Sequence, residues 1–467
     1  MDFTSVEYLF FLLIVVGVFY QIKPGYRQWF LVLAGYLFYA FYQWQYCILL
    51  FGMSLYTYYA AIWLSNNQSN KLAFSLCILV LFTPLFFFKF NNFFIDEVKN
   101  LSGKASIISY AFPIGLSFFS FQMVSYLVDI RRKYLKPEQN IVKILLHHAF
   151  FPILLAGPIE RAKKLITQFE FRNDFDYTNF RDALFQILWG IFKKIVIANN
   201  LAFYVNTIYS NLSRSNGMEV LLAMWFFVFQ IIVDFSAYND IAMGSAKLFG
   251  ITITKNIHDR AYASTSRTQL WQRWHVSLTS WLRDYIFFPL SKFSKKRGWL
   301  YCNMLIIYLI SGLWHGASWG FILWGLGNGI WLIGEQITKK SRFIFFERIG
   351  LVKYPRLFNF GAWLIFLNAS AFFDVFFLSK NWDEINGKFS QLFAVQPFGF
   401  MAGKRVILLS ILSILFLELA NRYKNEREIY ELLPKSIAKR WFVYFVLFLA
   451  LFYFRPVEDV SFLYFKF

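Results

Sequence analysis

The sequence predicts an all-α polytopic membrane protein with about 11 transmembrane helices and further interfacial or re-entrant helices. Three observations support this fold class. Of the 467 residues, 58% are hydrophobic and 22% are aromatic, and the mean hydropathy is +0.46, which is well above that of soluble chains. Long runs that are almost free of charge recur along the chain, and basic residues cluster at the ends of those runs.

The apolar runs are the predicted membrane-spanning elements. With their flanks, most of them supply the roughly 20 helical residues that cross the hydrocarbon core of a bilayer. They occupy residues 8–20, 29–42, 46–64, 72–88, 110–128, 220–232, 305–334, 357–373, 406–417 and 442–454. Because no Pro- or Ser-rich linker divides the chain, we expect one integral membrane domain over residues 1–467.

The net charge of +20 indicates a membrane surface as the partner of the basic residues, not a nucleic acid. The cations stand beside apolar runs, for example at 23–27, 131–136 and 292–297. The chain starts with the acidic stretch MDFTSVE, and the first loop, QIKPGYR, is basic. The positive-inside rule therefore predicts a multi-pass protein of the cytoplasmic (inner) membrane with an extracytoplasmic N-terminus. The first stretch has no basic n-region, so we expect no cleaved signal peptide.

Residues 234–289 interrupt the membrane pattern with a cluster of charged and histidine side chains. In the second half of this segment, apolar residues recur every three or four positions, which predicts one amphipathic helix. The stripe consists of Trp271, Trp274, Leu278, Trp281, Tyr285 and Phe288. His275 borders it. Since Arg273, Arg283 and Asp284 are costly in lipid, we expect this helix at the interface or along a cavity enclosed by protein. An ordinary cytoplasmic amphipathic helix is the alternative.

A second histidine lies in the apolar stretch SGLWHGASWGFILWG, residues 311–325. No charged residue occurs between 305 and 334, so His315 is not expected at a solvent-exposed position. Gly312, Gly316 and Gly320 form a small-residue ridge at helical spacing, which lets a neighbouring backbone approach closely. The buried imidazole is either a packed, hydrogen-bonded residue or a functional group. A neutral imidazole can accept a proton, as a general base must.

Other chemical motifs are absent or weak. The adjacent His147 and His148 point apart if they lie on a helix, so we expect no metal ligand there. GLGNG at 325–329 follows no strand and is not expected to bind phosphate. The cysteines have no CxxC spacing and predict neither disulfide nor zinc site. They are Cys47, Cys77 and Cys302.

Five stretches together resemble the membrane-bound O-acyltransferase family. They are GLSFFSFQMVSYLVDI, FPILLAGPIERAKKLITQF, DFSAYNDIAMGSAKLFGI, LWQRWHVSLTSWLRDYIFFPL and SGLWHGASWGFILWG. They stand in the family's order within residues 110–335, and they are most similar to its bacterial branch of alginate and peptidoglycan O-acetyltransferases and teichoic acid D-alanyltransferases. The resemblance implies helices around a central tunnel, with a cytoplasmic acyl donor on one side and an extracytoplasmic acceptor on the other.

The resemblance also implies an activity. It implies an O-acetyltransferase subunit that moves acetyl groups from acetyl-CoA across the membrane to an extracytoplasmic polysaccharide, either peptidoglycan or an alginate-like exopolysaccharide. No permanently bound cofactor is expected. A separate extracytoplasmic O-acetyltransferase protein would receive the group. The alternatives are a D-alanyl or lipid-directed acyltransferase of the same family, and a multi-helix transporter, against which the missing internal repeat argues.

The resemblance assigns catalysis to His315 in LWHG, as base or nucleophile, and to His275 in RWH, which would orient substrate or stabilise the oxyanion. Supporting roles are expected for Asp234, Tyr238, Asp240, Arg273, Trp274 and Asn328. Many relatives have a further histidine where this chain has Asn328, and an asparagine cannot act as a base near neutral pH. Tyr464 in the terminal FLYFKF is either a transient acyl acceptor near the outer mouth or an interfacial anchor.

Overall fold

The computed structural model describes residues 1–102, 111–171, 174–395, 397, 399–456, 460 and 462–463. These residues form α-helices joined by short turns, and no β-strand occurs among them. The all-α class predicted from composition and hydropathy is confirmed.

By the density of its internal contacts the chain divides into two compact units. The first comprises Met1–Leu188 and Tyr238–Lys255. Its helices are α1 (Val6–Gln21), α2 (Pro24–Gln43), α3 (Tyr46–Asn66), α4 (Lys71–Ser102), α5 (Leu116–Arg131), α6 (Ile141–Ala149), α7 (Phe151–Leu154), α8 (Ala162–Leu165), most of α9 (Tyr177–Phe192) and the last part of α11 (Gly217–Lys247). One integral membrane domain over residues 1–467 stays a prediction.

Close backbone packing holds the first unit together. Gly35 allows α2 to approach α6, because a Cβ at this position would overlap the carbonyl oxygen of Ala149. Near the start of the chain, the Tyr238 hydroxyl donates a hydrogen bond to Asp2 Oδ1 at 3.0 Å, and its ring stacks on Phe3 with centroids 4.7 Å apart. The beginning of the chain is therefore bound to the last turns of α11.

The second unit comprises Trp189–Ala237 and Asn256–Phe467. Besides the first part of α11 it contains α10 (Asn199–Ser210), α12 (Arg267–Arg273), α13 (Val276–Leu282), α14 (Phe288–Ser291), α15 (Arg297–His315), α16 (Trp319–Arg348), α17 (Pro355–Phe377), α18 (Trp382–Leu392), α19 (Lys404–Lys424) and α20 (Ile437–Tyr453). Across the chain, 3-10 turns occupy Ile166–Gln168, Leu212–Arg214, Ala261–Ala263, Leu351–Lys353 and Ile429–Leu432, and π-helical turns occupy Lys193–Ala198 and Arg283–Phe287.

Six helices of the described residues are long and apolar enough to cross a membrane. They span Tyr46–Asn66, Lys71–Asn91, Tyr177–Ser210, Gly217–Lys247, Pro355–Phe377 and Lys404–Lys424. Large apolar side chains on these helices point outward, as Ile48 (75% exposed) and Leu419 (68% exposed) do. A lipid environment accounts for such exposure, and the protein is a multi-pass membrane protein. The predicted number of about 11 spans is not confirmed.

The apolar run at 305–334 forms two helices instead of one. Helix α15 ends at His315, Gly316 is extended, and Ser318 caps α16 by accepting the Phe321 N–H. The predicted glycine ridge is therefore divided between two helices. Gly312 packs against the carbonyl oxygen of Phe321, where a Cβ would overlap it. The predicted close approach of a neighbouring backbone is confirmed, and that neighbour is α16.

Candidate active site

The amphipathic helix predicted over 271–288 is interrupted at His275. Helix α12 ends at Arg273, and His275 adopts the left-handed conformation (φ 47°, ψ 47°) immediately before α13. This conformation is uncommon for a residue with a side chain. Hydrogen bonds from Asn256 stabilise the turn: its carbonyl accepts the Val276 N–H and its Oδ1 accepts the Ser277 N–H, both at 2.9 Å. The break therefore depends on a residue outside the helix.

The ring of His275 is buried among aromatic side chains. It is 1% exposed, and its centroid lies 4.8 Å from that of Phe235 and 5.4 Å from that of Trp314. The neighbouring Trp274 is also buried and packs on Phe235 at 5.4 Å. Burial lowers the pKa of His275 to about 3. Its imidazole is therefore neutral at pH 7, with one N–H donor and one acceptor nitrogen.

His315, at the end of α15, is surrounded by aromatic rings from three helices. It is 6% exposed. The rings of Trp314, Trp324 and Phe377 lie edge-on to the imidazole, with centroids at 4.9, 5.3 and 5.1 Å. Since Trp314 also contacts His275, a single indole joins the two predicted catalytic histidines. The surrounding rings restrict the access of water to this imidazole.

Polar contacts fix one of these rings in place. The Trp324 indole N–H donates to Asp374 Oδ1 at 3.2 Å. One turn further along α16, Asn328 is fully buried and its amide donates to the Trp324 carbonyl at 2.7 Å. Asn328 Oδ1 has no hydrogen-bond partner within the described part of the chain. Asn328 thus binds its own helix through its amide nitrogen.

A buried carboxylate joins the His275 segment to α16. Glu335 accepts the backbone N–H of Arg267 at 2.7 Å and that of Thr268 at 3.2 Å, at the start of α12. A negative charge is favourable at a helix N-terminus. The Arg267 guanidinium lies over the ring of Trp331, 4.7 Å from its centroid. Neither residue was predicted, although Glu335 is the acid that ends the uncharged run 305–334.

Asp234 is buried and ion-paired. Its Oδ1 lies 2.8 Å from Lys194 Nζ, and its Oδ2 accepts the backbone N–H of Leu463 at 3.0 Å. Asp234, for which a supporting role was predicted, therefore makes two polar contacts. Lys194 was not predicted, although a lysine within a long apolar helix is the signal that could have identified it.

Two of the remaining predicted residues lie outside the second compact unit. Tyr238 and Asp240 belong to the first compact unit, where both are buried. Arg273 is half-buried, and its carbonyl accepts the His258 N–H at 2.8 Å. Tyr464 lies outside the described residues.

Two cavities of the second unit have Met304 in both of their linings. The first has a volume of about 230 Å³, is lined mainly by apolar side chains and reaches Ser311, one turn before His315 on α15. The second has a volume of about 1230 Å³ and is lined by four cations together with aromatic side chains. The cations are Arg297, Lys339, Lys340 and Arg342. None of the described residues that line it is acidic, so it suits a ligand with negative charge.

Comparison with known proteins identifies relatives across these elements. Residues 30–377, which include both histidines, match the model of the membrane-bound O-acyltransferase family. The chain is 31% identical to the probable alginate O-acetylase of Azotobacter vinelandii over 349 residues, 73% of this chain and 69% of that protein. It is 30% identical to the peptidoglycan O-acetyltransferase of Helicobacter pylori over 395 residues, with coverages of 78% and 73%. It is 26% identical to the teichoic acid D-alanyltransferase of Streptococcus thermophilus over 316 residues, with coverages of 62% and 71%.

Proposed function

Since the chain belongs to the membrane-bound O-acyltransferase family and is an acyltransferase, we propose that it transfers acetyl groups from acetyl-CoA for the O-acetylation of an extracytoplasmic polysaccharide. The acceptor is peptidoglycan or an alginate-like exopolysaccharide, the polymers for which the two most similar relatives described above are named. The observation that carries the proposal is the apolar cavity that reaches Ser311 beside His315 and borders, at Met304, on a cavity rich in cations.

The two cavities match the two parts of acetyl-CoA. The donor has a phosphorylated nucleotide at one end and a thin, mostly uncharged arm with the thioester at the other. Lysine and arginine side chains bind phosphate, so the nucleotide would lie in the larger, cationic cavity. The arm would extend past Met304 towards Ser311. Under the positive-inside rule this cationic cavity faces the cytoplasm, in a cytoplasmic membrane with the N-terminus outside.

In the proposed step His315 acts as a general base. It takes the proton from an acceptor hydroxyl while the hydroxyl oxygen attacks the carbonyl carbon of the thioester. The C–S bond then breaks, and the proton passes from His315 to the departing thiolate. The products are an acetyl ester and the free thiol of CoA, and the imidazole returns to its neutral form.

His275 would serve the same reaction as a hydrogen-bond donor. A neutral imidazole donates one N–H, which can stabilise the negative oxygen that develops on the thioester carbonyl. Trp314 is the shared neighbour that would set the distance between this donor and the base. The rings around His315 would keep water from hydrolysing the thioester.

A second protein completes the proposed pathway. The acetyl group would pass to a separate extracytoplasmic O-acetyltransferase that modifies the polymer. The motifs shared with the bacterial branch of the family support this partner. The role of Tyr464, transient acceptor or interfacial anchor, stays a prediction.

The test is the acetate that base releases from purified cell wall and from exopolysaccharide. Cells with the native chain are compared with cells with His315→Ala at equal membrane levels, and His258→Ala, an exposed histidine, is the control. Loss of a general base lowers rates by about 10²–10⁴-fold, so acetate on one polymer should fall to background while the control retains it. Unchanged acetate on both polymers in His315→Ala would overturn the proposal. Loss of ester-linked D-alanine instead would identify the D-alanyl alternative.

A further inference from the structure

We propose that Asp234 is a positioning residue: it holds the backbone at Leu463 and thereby places Phe462 against Phe235, the ring that packs on His275. The contribution of this contact to catalysis rests on the function proposed above. We call the hydrogen bond from the Leu463 N–H to Asp234 the anchor. Its presence can be tested without any measurement of activity.

The anchor is built from a buried ion pair. The side chains of Lys194 and Asp234 are 2% and 3% exposed, with 2.8 Å between Nζ and Oδ1. Both lie on helices that are long and apolar enough to cross a membrane. The second carboxylate oxygen of Asp234 accepts the Leu463 N–H at 3.0 Å. One carboxylate thus serves an internal cation and a distant backbone donor.

A buried ion pair needs an explanation because it is seldom the most stable choice. Removing two charges from water costs several kcal/mol for each ion, and apolar side chains of similar size often give equal or greater stability. Ionisable groups inside membrane proteins are usually retained for function. Here the pair supplies an acceptor for a backbone N–H at a residue that is only 6% exposed, where an unpaired donor would be costly.

The contact continues from the anchor to the histidine. Phe462 is fully buried, and its ring centroid lies 6.1 Å from that of Phe235. The Phe235 ring in turn lies 4.8 Å from His275. Since Phe235 directly follows Asp234 on α11, the acceptor of the Leu463 N–H and the ring that contacts His275 are adjacent in sequence. A second contact holds the preceding part of the chain: Asn200 Nδ2 donates to the Phe454 carbonyl at 2.7 Å.

Matched variants separate the hydrogen bond from the charges. Lys194→Met with Asp234→Asn removes both charges but leaves an amide oxygen that can accept the Leu463 N–H. Lys194→Met with Asp234→Leu removes both charges and the acceptor. At the other end of the bond, Leu463→Pro removes the N–H donor, whereas Leu463→Ala shortens the side chain and keeps the donor.

The first measurement is the rate at which a maleimide labels a cysteine at position 463. Leu463→Cys is introduced after the three native cysteines are replaced by serine, and the protein is labelled in detergent. We call Lys194→Met with Asp234→Asn the Met/Asn pair, and Lys194→Met with Asp234→Leu the Met/Leu pair. Because position 463 is buried, we expect slow labelling in the chain with the native pair and in the Met/Asn pair. The Met/Leu pair should label about tenfold faster, the factor expected for the loss of one net hydrogen bond. Equal labelling rates in the Met/Asn and Met/Leu pairs would overturn the anchor.

The second measurement is the rate of acetyl transfer from acetyl-CoA to the polymer, in membranes that contain the chain together with the proposed partner. We expect Leu463→Pro to lower kcat about tenfold and to leave the KM for acetyl-CoA unchanged, while Leu463→Ala stays within about threefold of the native rate. In a chain that already has His275→Ala, Leu463→Pro should cause no further loss of kcat. Both changes affect the reaction through the His275 imidazole. Additive losses, or a native rate in Leu463→Pro, would overturn the positioning role. An inactive native chain would instead overturn the proposed function, and the labelling result would still decide the anchor.

Discussion

His275 and His315 contact the same indole. The Trp314 ring lies 5.4 Å from the first imidazole and 4.9 Å from the second, edge-on in both cases. The two histidines come from different segments, one from the turn between α12 and α13 and the other from the end of α15. Their relative position therefore depends on the Trp314 side chain, which was not among the predicted site residues.

Replacement of the Trp314 ring should change the relative position of the two histidines and lower activity. Trp314→Ala removes the shared neighbour, and misplacement of a catalytic group by about 1 Å costs about 100-fold in rate. Trp314→Phe keeps a smaller ring, and we expect it to retain most of the activity that Ala loses. Polymer-bound acetate at equal membrane levels measures both. A native acetate level in Trp314→Ala would show that the histidines do not need this contact.

Two variants of His275 can separate the strain in its left-handed backbone from the catalytic role of its side chain. At φ 47° a glycine is favoured over an alanine, by about 1 kcal/mol. His275→Gly should therefore unfold at a higher temperature than His275→Ala in detergent, while both lose acetyl transfer to the same extent. Equal unfolding temperatures would show that this turn does not select for glycine, and activity in either variant would remove His275 from the mechanism.

Contact between α15 and α16 at Gly312 should be sensitive to a single methyl group. Gly312→Ala forces the carbonyl of Phe321 to move, whereas Gly298→Ala, on the same helix, meets no atom within 4 Å. We expect Gly312→Ala to lower the unfolding temperature and the acetate level. The free energy of unfolding should fall by about 1–3 kcal/mol, the range that overpacking causes. Gly298→Ala should behave like the native chain. Equal behaviour of the two variants would contradict the packing described for this helix pair.

His147 predicts a dependence of stability on pH. Its ring is fully buried, and neither of its nitrogens has a hydrogen-bond partner among the described residues. Burial lowers its pKa from 6.5 to about 3. Between these values the unfolded chain binds a proton that the native chain does not, so stability is full above pH 6.5 and declines as the pH falls.

His147→Leu should remove this contribution. We expect the difference between unfolding temperatures at pH 7.5 and pH 5 to shrink, and stability at pH 7.5 to rise because the unpaired polar atoms are gone. His258→Leu replaces an exposed histidine and serves as the control. An unchanged pH dependence in His147→Leu would assign the acid sensitivity to other groups.

The cationic cavity predicts which part of the donor is bound there. Lys339→Gln with Lys340→Gln should raise the KM for acetyl-CoA about tenfold, since each exposed charge contact contributes up to about 1 kcal/mol. The KM for S-acetylpantetheine, which has no phosphate, should not change. Lys295→Gln with Lys296→Gln alters two exposed lysines outside the cavity lining and is the matched control. An equal rise for both donors would place the nucleotide elsewhere.

The fold class and the burial of His315 could be predicted from the sequence because both depend on local composition. Uncharged apolar runs specify membrane helices, and a histidine within such a run is buried. The break before His275 could not be predicted, since the apolar spacing from Trp271 to Phe288 continues through it. Asn256, which stabilises the break, lies outside the periodic segment and contacts it only after folding. Gly316 and Ser318, by contrast, are ordinary signals for a helix end and a new start, so the division of α15 from α16 was within reach of the sequence.

The polar network was largely out of reach for the same reason. Glu335 and Asp374 bind residues that are 68 and 50 positions away in the chain, and the partner of Asp234 on the backbone is 229 positions away. A charged residue in an apolar segment shows that a partner exists. It does not show which partner, because that depends on how distant helices pack.

The packing of α15 on α16 has a consequence for the order in which the protein is assembled. The residues that surround His315 on these two helices lie close together in sequence, and contacts of short separation form early, at low entropic cost. The His275 side includes Phe462, which leaves the ribosome only after almost two hundred further residues have followed His275. Synthesis would therefore produce an intermediate with His315 already enclosed and His275 incompletely packed. If both histidines are needed for transfer, such a chain stays inactive until the segment around Phe462 docks, which separates membrane insertion from the onset of catalysis.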